Sequence, residues 1–270
     1  MASNNPAFRN PAFNNGGAQA QAGTQAQMSA EQLQHLYNQP VGAVDASDRM
    51  TVEDTVVKTG ISFAILVVGA VIGWAVPVLM IPAMIVGFVL AMVNIFKKAP
   101  SAPLVLAYAA AQGLFLGALS LTFERMFPGI VLQALIATLS VIGVTLALFA
   151  SGKIRASKKA TKIFMIAMVG YLVYSLVNMV LMMTGVLGSG AMFGLNSRVE
   201  IFGIPLGVLL GIVVVIMAAY SLVLDFDSIQ RGVQNRAPKV YAWAGAFGIM
   251  VTVIWLYTEI LRMIAIFRSN

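Results

Sequence analysis

From about residue 57 onward, apolar residues neither alternate with polar ones nor recur at the spacing of a half-buried helix. They come in nearly unbroken blocks separated by short polar or Pro/Gly breaks. About 20 apolar residues in helical form cross the roughly 30 Å hydrocarbon layer of a membrane. The blocks over residues 57–76, 78–96, 102–123, 130–150, 163–184, 204–224 and 241–267 therefore predict seven transmembrane helices. Pro77 stops the first block and leaves so short a connection that a tight hairpin is expected at Trp74-Ala75-Val76-Pro77. A Gly-rich loop up to Gly203 leads into the sixth block, and Pro238 marks a turn between the sixth and the seventh.

Residues 1–50 read differently. Asn-Pro-Ala-Phe occurs twice, at residues 5–8 and 10–13, before a Gln/Ala/Gly tract at residues 18–27. So little apolar surface cannot offset the entropy of ordering, and a disordered tail is expected. No basic start followed by an apolar core of signal-peptide length is present. Residues 29–37 have the pattern of two helical turns with a weak apolar face, which reads as an interfacial helix, a partner motif, or an inert part of the tail. The division is thus a tail over residues 1–50 and a seven-helix membrane domain over residues 51–270, an all-α architecture.

Composition sharpens this picture. Of 270 residues, 59% are hydrophobic and 10% charged, and the mean hydropathy is +0.87. A soluble domain is about a quarter charged, so a soluble globular protein is excluded. There is no cysteine, and the single histidine, His35, lies in the tail. Thiolate chemistry, histidine metal sites and Ser-His-Asp catalysis therefore lack an essential group, and no cofactor is expected. The net charge of +7 would suit nucleic acid, but the basic residues are placed otherwise. If the helices alternate, Arg9, Arg49, Lys58, Lys97, Lys98, Lys153, Arg155, Lys158, Lys159, Lys162, Arg231, Arg236 and Lys239 share one side. Only Arg125, Arg198, Arg262 and Arg268 fall on the other. Cytoplasmic loops hold the excess of Lys and Arg, so the pattern predicts a protein of the cell membrane with a cytoplasmic amino terminus and no nucleic-acid partner. An even span count with one re-entrant segment is the rival.

Within the blocks, Gly69 with Gly73, Gly113 with Gly117 and Gly207 with Gly211 are small-xxx-small pairs of the kind that lets helices approach closely. Asn94, Gln112, Gln133 and Asn178 are expected to bond between helices; Gln112 also suits a water-filled cavity. The candidate chemistry is acidic: the sixth block ends in Leu224-Asp225-Phe226-Asp227-Ser228-Ile229, and the seventh carries Leu256-Tyr257-Thr258-Glu259-Ile260-Leu261-Arg262. An ionisable side chain within a span costs about 2.5–3.5 kcal/mol on insertion scales and usually lines a polar pathway. Two carboxylates facing each other there share a proton and titrate as a pair. Such a pair is a pH-responsive latch that, when ionised, repels or takes up calcium, which prefers several oxygen ligands. The plainer alternatives are that Asp225 and Asp227 are solvated near Arg231, and that Glu259 forms an i,i+3 ion pair with Arg262.

The two acidic stretches, together with Tyr108 and Gln112-Gly113-Leu114-Phe115-Leu116-Gly117-Ala118-Leu119-Ser120 in the third block, resemble the Bax-inhibitor (transmembrane Bax inhibitor motif) family of multi-pass membrane proteins. The resemblance covers roughly residues 60–267, and the Asn-Pro-x-Phe opening looks like the actinobacterial branch. It implies a proton-sensitive calcium leak in which six helices wrap the seventh and Asp225 and Glu259 form the gating pair, with calcium tentatively between them. Unlike some bacterial relatives, no charged residue lies between Ile61 and Phe96 to hold the aspartate. Straight arms from Pro238 place Asp225 at 13 residues and Glu259 at 21, levels about 12 Å apart. Unless the arms bend or tilt, Arg262 becomes the partner of one acid.

The expected function is a pH-sensitive passive cation leak. Its site residues are Asp225 and Glu259, with Asp227, Arg262 and Gln112 as secondary candidates, and its partners are the bilayer, calcium and protons. The alternative is a non-conducting scaffold that binds membrane proteins such as a protease or a stress-response partner. An intramembrane enzyme is the weakest reading, because an aspartyl protease needs two acids at one depth.

Overall fold

A computed structural model describes residues 49–186 and 193–269; the expectations for residues 1–48, His35 included, lie outside them. Seven long helices occupy the seven apolar blocks: α1 (Val52–Ala75), α2 (Met80–Phe96), α3 (Ala102–Met126), α4 (Ile130–Ala150), α5 (Lys158–Met183), α6 (Leu206–Gln234) and α7 (Ala242–Ser269). Each is long and apolar enough to cross a membrane, and the protein is a multi-pass membrane protein. Dozens of large apolar side chains face outward, for example Val71, Ile85, Leu139 and Leu172. Soluble monomers rarely expose apolar patches of that extent; here lipid covers them.

Local signals set the helix ends. Thr51 accepts from Asp54 N at 3.0 Å, and Glu53 and Asp54 sit in the first turn, so α1 begins five residues before its apolar block. Pro77 opens a single 3-10 turn (Pro77–Leu79) between α1 and α2, which makes the expected hairpin. The Glu124 carboxylate accepts from Gly129 N at 2.6 Å and Val131 N at 3.1 Å, which closes the α3–α4 turn and caps α4. Gly129 there has φ +83°, a conformation that favours glycine. Ser157 caps α5 within the basic run. Before α6 come one helical turn (Leu195–Arg198) and a two-residue hairpin, β1 (Glu200–Ile201) with β2 (Ile204–Pro205). Helix α6 runs ten residues beyond the expected end at Leu224, because Asp227 and Arg231 pair at i,i+4 along its surface and sustain the helix past the apolar block.

The two ends of the bundle follow from long-range contacts. Met50 N donates to Ala237 O at 2.8 Å, Lys58 Nζ donates to Lys239 O at 3.0 Å, and Arg155 donates to Gln230 at 2.7 Å. The segment before α1 and the α4–α5 and α6–α7 connections thus share one end. At the other, Arg268 donates to Pro128 O at 3.1 Å. The helices alternate, and the even-count rival is overturned among the described residues. The tail boundary also shifts: Arg49 bridges Pro238, and Met50 is buried against Ile229 and Ala242, so the bundle begins at Arg49.

Helix α7 lies at the centre, packed against α1, α3, α4 and α6. Over half of its most apolar window is buried (56%), against 6% for α5 on the periphery. The closest crossing joins α1 to α3. A Cβ on Gly69 would stand 2.8 Å from Ala110 O, and Cβ atoms on Gly73, Gly113 and Gly117 would drive into the carbonyls of Leu114, Leu66 and Ala70. Two of the three small-residue pairs therefore interlock, and close backbone approach supplies the dispersion energy that replaces hydrophobic driving force in lipid. The third pair faces Ile266 and Met263 of α7. Of the polar residues, Asn94 bridges α2 to α3 by donating to Leu104 O at 3.2 Å, and Gln112 lies over Gly87 of α2. Gln133 is exposed, contrary to its expected interhelical role, because it faces away from the bundle near the start of α4.

The glycine crossing is open to a direct test. Gly117→Ala is expected to cost about 1–3 kcal/mol of stability through overpacking, whereas Gly143→Ala, where a Cβ meets open space, should cost nothing measurable. Thermal unfolding in detergent, followed by circular dichroism, separates the two.

Candidate functional site

The α6–α7 hairpin is nearly symmetric about Pro238, and its contacts follow from counting outward. Asp225 lies 13 residues before that proline and Thr252 lies 14 after it, so the two arrive at one level. The Thr252 hydroxyl donates to Asp225 Oδ2 at 2.7 Å, and Ser221, one turn along α6, lies 3.3 Å from Thr252 Oγ1. With the Thr252 proton directed at the carboxylate, Ser221 is the donor in that second bond. One turn nearer the proline, Gly248 leaves room for the acid: a Cβ there would stand 3.0 Å from Asp225 Oδ1. The ion pairs among the described residues are Lys58–Asp54, Arg231–Asp227 and Arg262–Glu259, so Asp225 belongs to none. Asp225 is thus a half-buried carboxylate between two helices, fastened by the Thr252 hydroxyl.

Glu259 is placed otherwise. It is 4% exposed, paired with Arg262 one turn on, and its Oε2 accepts from the Tyr171 hydroxyl of α5 at 2.9 Å. Arg262 donates in turn to the Tyr171 oxygen at 3.0 Å, which closes a three-membered ring. The Arg262 Nε is buried without a hydrogen-bond partner among the described residues, and the Ser175 hydroxyl is buried beside Tyr171. Further along α5, Tyr174 donates to Asn196 at 2.7 Å, and Asn178 accepts from Leu195 N at 2.7 Å and donates to Phe193 O at 3.3 Å. This row of contacts holds the otherwise peripheral α5, and the loop before α6, to the bundle.

The expected carboxylate pair is therefore not formed. Glu259 lies seven residues beyond Thr252, about 10 Å along α7, and each acid has its own partners. The cause is that only a three-residue 3-10 turn, Lys239–Tyr241, follows Pro238, too little to bring the levels together. Arg262 takes the role left open for it, as partner of Glu259, and Asp227 is occupied by Arg231. Nor do Asp225 and Glu259 share a cation site: no group of three or more His, Cys, Asp or Glu residues is gathered anywhere among the described residues, whereas calcium takes six to eight oxygens. Gln112 lies at the α2–α3 contact, against Gly87, and is not among the hydrogen-bond partners of either acid.

Thr252 and Tyr171 escaped the sequence reading, although each left a signal. Equal counting from Pro238 points to Thr252. Tyr171, Tyr174, Ser175 and Asn178 recur at i, i+3, i+4 and i+7, a polar stripe on a helix whose other faces meet lipid. A third polar contact crosses the core, where Ser120 of α3 and Tyr257 of α7 lie 2.6 Å apart.

The Glu259–Arg262–Tyr171 ring generates a double-mutant test. Glu259→Leu alone strands a buried guanidinium and is expected to cost about 3–5 kcal/mol, whereas Glu259→Leu combined with Arg262→Met should cost less than the single change. Unfolding of purified protein in mixed micelles reads the difference; equal losses would show that the pair does not act as a unit.

The family model described as Bax inhibitor 1 like matches residues 5–269, and no curated protein matches the chain. That match spans all seven helices and both acidic stretches, and together with the fold it assigns the protein: the chain belongs to the Bax inhibitor 1-like family of multi-pass membrane proteins.

Proposed function

We propose that this protein is a passive, proton-responsive cation leak of the cell membrane, with calcium as cargo and Asp225 as the responsive group. The observation that carries this reading is the half-buried Asp225 carboxylate, joined to α7 through Thr252 and lacking a cationic partner among the described residues. A carboxylate accepts a stronger hydrogen bond from a hydroxyl than a neutral acid does, so adding a proton to Asp225 loosens the link between α6 and α7. Of the cations on α7, Arg262 is paired with Glu259 and Arg268 donates to Pro128 O. Lys58 of α1 is held by Asp54 and Lys239 O, and α4 carries no charged side chain. Gly248 and Thr252, the α7 residues facing the acid, are small, which leaves space for α6 to shift.

In this reading Glu259, charge-balanced by Arg262, sets the register of α5 on α7 rather than the response to protons. The basic end, with Arg49, Arg155 and Lys239, faces the cytoplasm by the positive-inside argument, which places the Asp225 level in the cytoplasmic half of the bundle. The non-conducting scaffold remains the second reading, favoured by the extent of exposed apolar helix face on α2 and α5. An aspartyl protease finds no support, because its two acids must share one level.

Calcium flux into dye-loaded liposomes, measured across pH 5–8, tests the proposal. Wild type is expected to show flux that varies with pH, and Asp225→Asn to flatten that dependence. Thr252→Val should shift the profile, while Glu259→Gln keeps its shape at altered stability. An Asp225→Asn profile identical to wild type removes Asp225 from the mechanism, and absence of flux at every pH favours the scaffold.

A further inference from the structure

Helices α1 and α4 both pack on α7 yet stand apart from each other, so a strip of α7 is open sideways to the membrane. Two apolar cavities of about 560 and 590 Å³ occupy this cleft, one toward each membrane face. They meet at Phe63, Leu139, Ile142 and Val253, which line both. Their volumes lie within the range of ordinary small-molecule sites, about 300–1,000 Å³. Both walls turn exposed apolar side chains outward, including Val56 at 62% and Leu139 at 66%, so the cleft opens into hydrocarbon and selects a hydrocarbon occupant.

The 560 Å³ cavity has a polar end. Gln230 and Phe149 both line it, and the Arg155 guanidinium binds Gln230 at 2.7 Å and lies 4.6 Å from the centre of the Phe149 ring. Arg155 therefore stands at the end of an apolar trough, on the basic side of the bundle. Lys153 precedes it by two residues, and Lys158, Lys159 and Lys162 follow close by in the chain. Of the acids on this side, Asp54 and Asp227 are already paired with Lys58 and Arg231.

We propose that the α1–α4 cleft is a binding site for one anionic phospholipid, its acyl chain along Phe63, Ile142 and Val253 and its phosphate on Arg155. A guanidinium binds phosphate oxygens in a bidentate fork, and its contact with Phe149 and Gln230 holds it in place before the lipid arrives. Charge decides between lipids, because a zwitterionic headgroup offers the same phosphate with its charge cancelled. The site borders Phe226 and Ile229, the first adjacent to Asp225 in sequence and the second one turn beyond it, so occupancy bears on the helix that carries the proposed proton-responsive acid. The binding claim itself does not depend on conduction.

The full chain is purified, exchanged into micelles containing equal amounts of phosphatidylglycerol and phosphatidylcholine, and weighed by native mass spectrometry. Wild type should retain phosphatidylglycerol preferentially. Arg155→Ala should reduce that retention about fivefold while leaving phosphatidylcholine unchanged, and Arg155→Lys should recover part of it. Leu139→Trp, which fills the cleft, should reduce retention of both lipids, with circular dichroism confirming an intact fold for every variant. Equal retention of the two lipids, or an unchanged preference in Arg155→Ala, overturns the proposal. So does a second copy of the chain or a partner helix occupying the cleft in place of lipid. Because no flux is read, failure here leaves the leak untouched, and failure of the leak leaves this site standing.

Discussion

A hydrocarbon layer offers no water to a polar group, so every donor and acceptor within it must be satisfied by the chain itself. That demand organises this molecule. The backbone meets it by folding into seven helices, and the side chains meet it by turning toward α7. Thr252 serves Asp225, Tyr171 and Arg262 serve Glu259, and Tyr257 serves Ser120. Three of the helices around α7 are thereby joined to it by hydrogen bonds, at different depths. The central helix is central because it carries the partners as well as because it is buried.

The same demand explains why the two acids have different characters. Glu259 lies deep in the bundle and carries its counter-charge one turn away on its own helix, so its charge is balanced before any other element arrives. Asp225 has only the Thr252 hydroxyl and, facing its other oxygen, the bare backbone of Gly248. A balanced, ring-bonded group suits architecture, and in the proposed reading the lightly held Asp225 is the responsive one. At that level α6 and α7 meet through side chains and one short bond, whereas the glycine crossing of α1 and α3 brings backbone against backbone.

The open cleft between α1 and α4 follows from the packing preferences of the helices beside it. Helix α1 gives its glycine face to α3, and α4 gives Ile130 and Ala134 to the core. The two stand apart, and the gap between them is lined by apolar side chains of both. Arg155 stands at the basic end of that gap, against Gln230 and Phe149.

Periodicity and composition alone determined the class of this protein: seven apolar blocks of spanning length, one basic face, no cysteine, and a hairpin between the last two spans. These are properties of stretches of chain, set by transfer free energy and by helical rise, and they survive without knowledge of neighbours. Sequence also located the acids and the glycine pairs that make the tightest crossing. What stands opposite each acid was a matter of depth and rotation about the helix axes, which depend on a three-residue turn after Pro238 and on which faces interlock. Only the tertiary structure decided that Asp225 meets Thr252 while Glu259 meets Tyr171 and Arg262. Residues remote in sequence reach one level through the sum of many small rises and tilts, and an error of two turns, about 10 Å, separates a coupled pair from two independent groups.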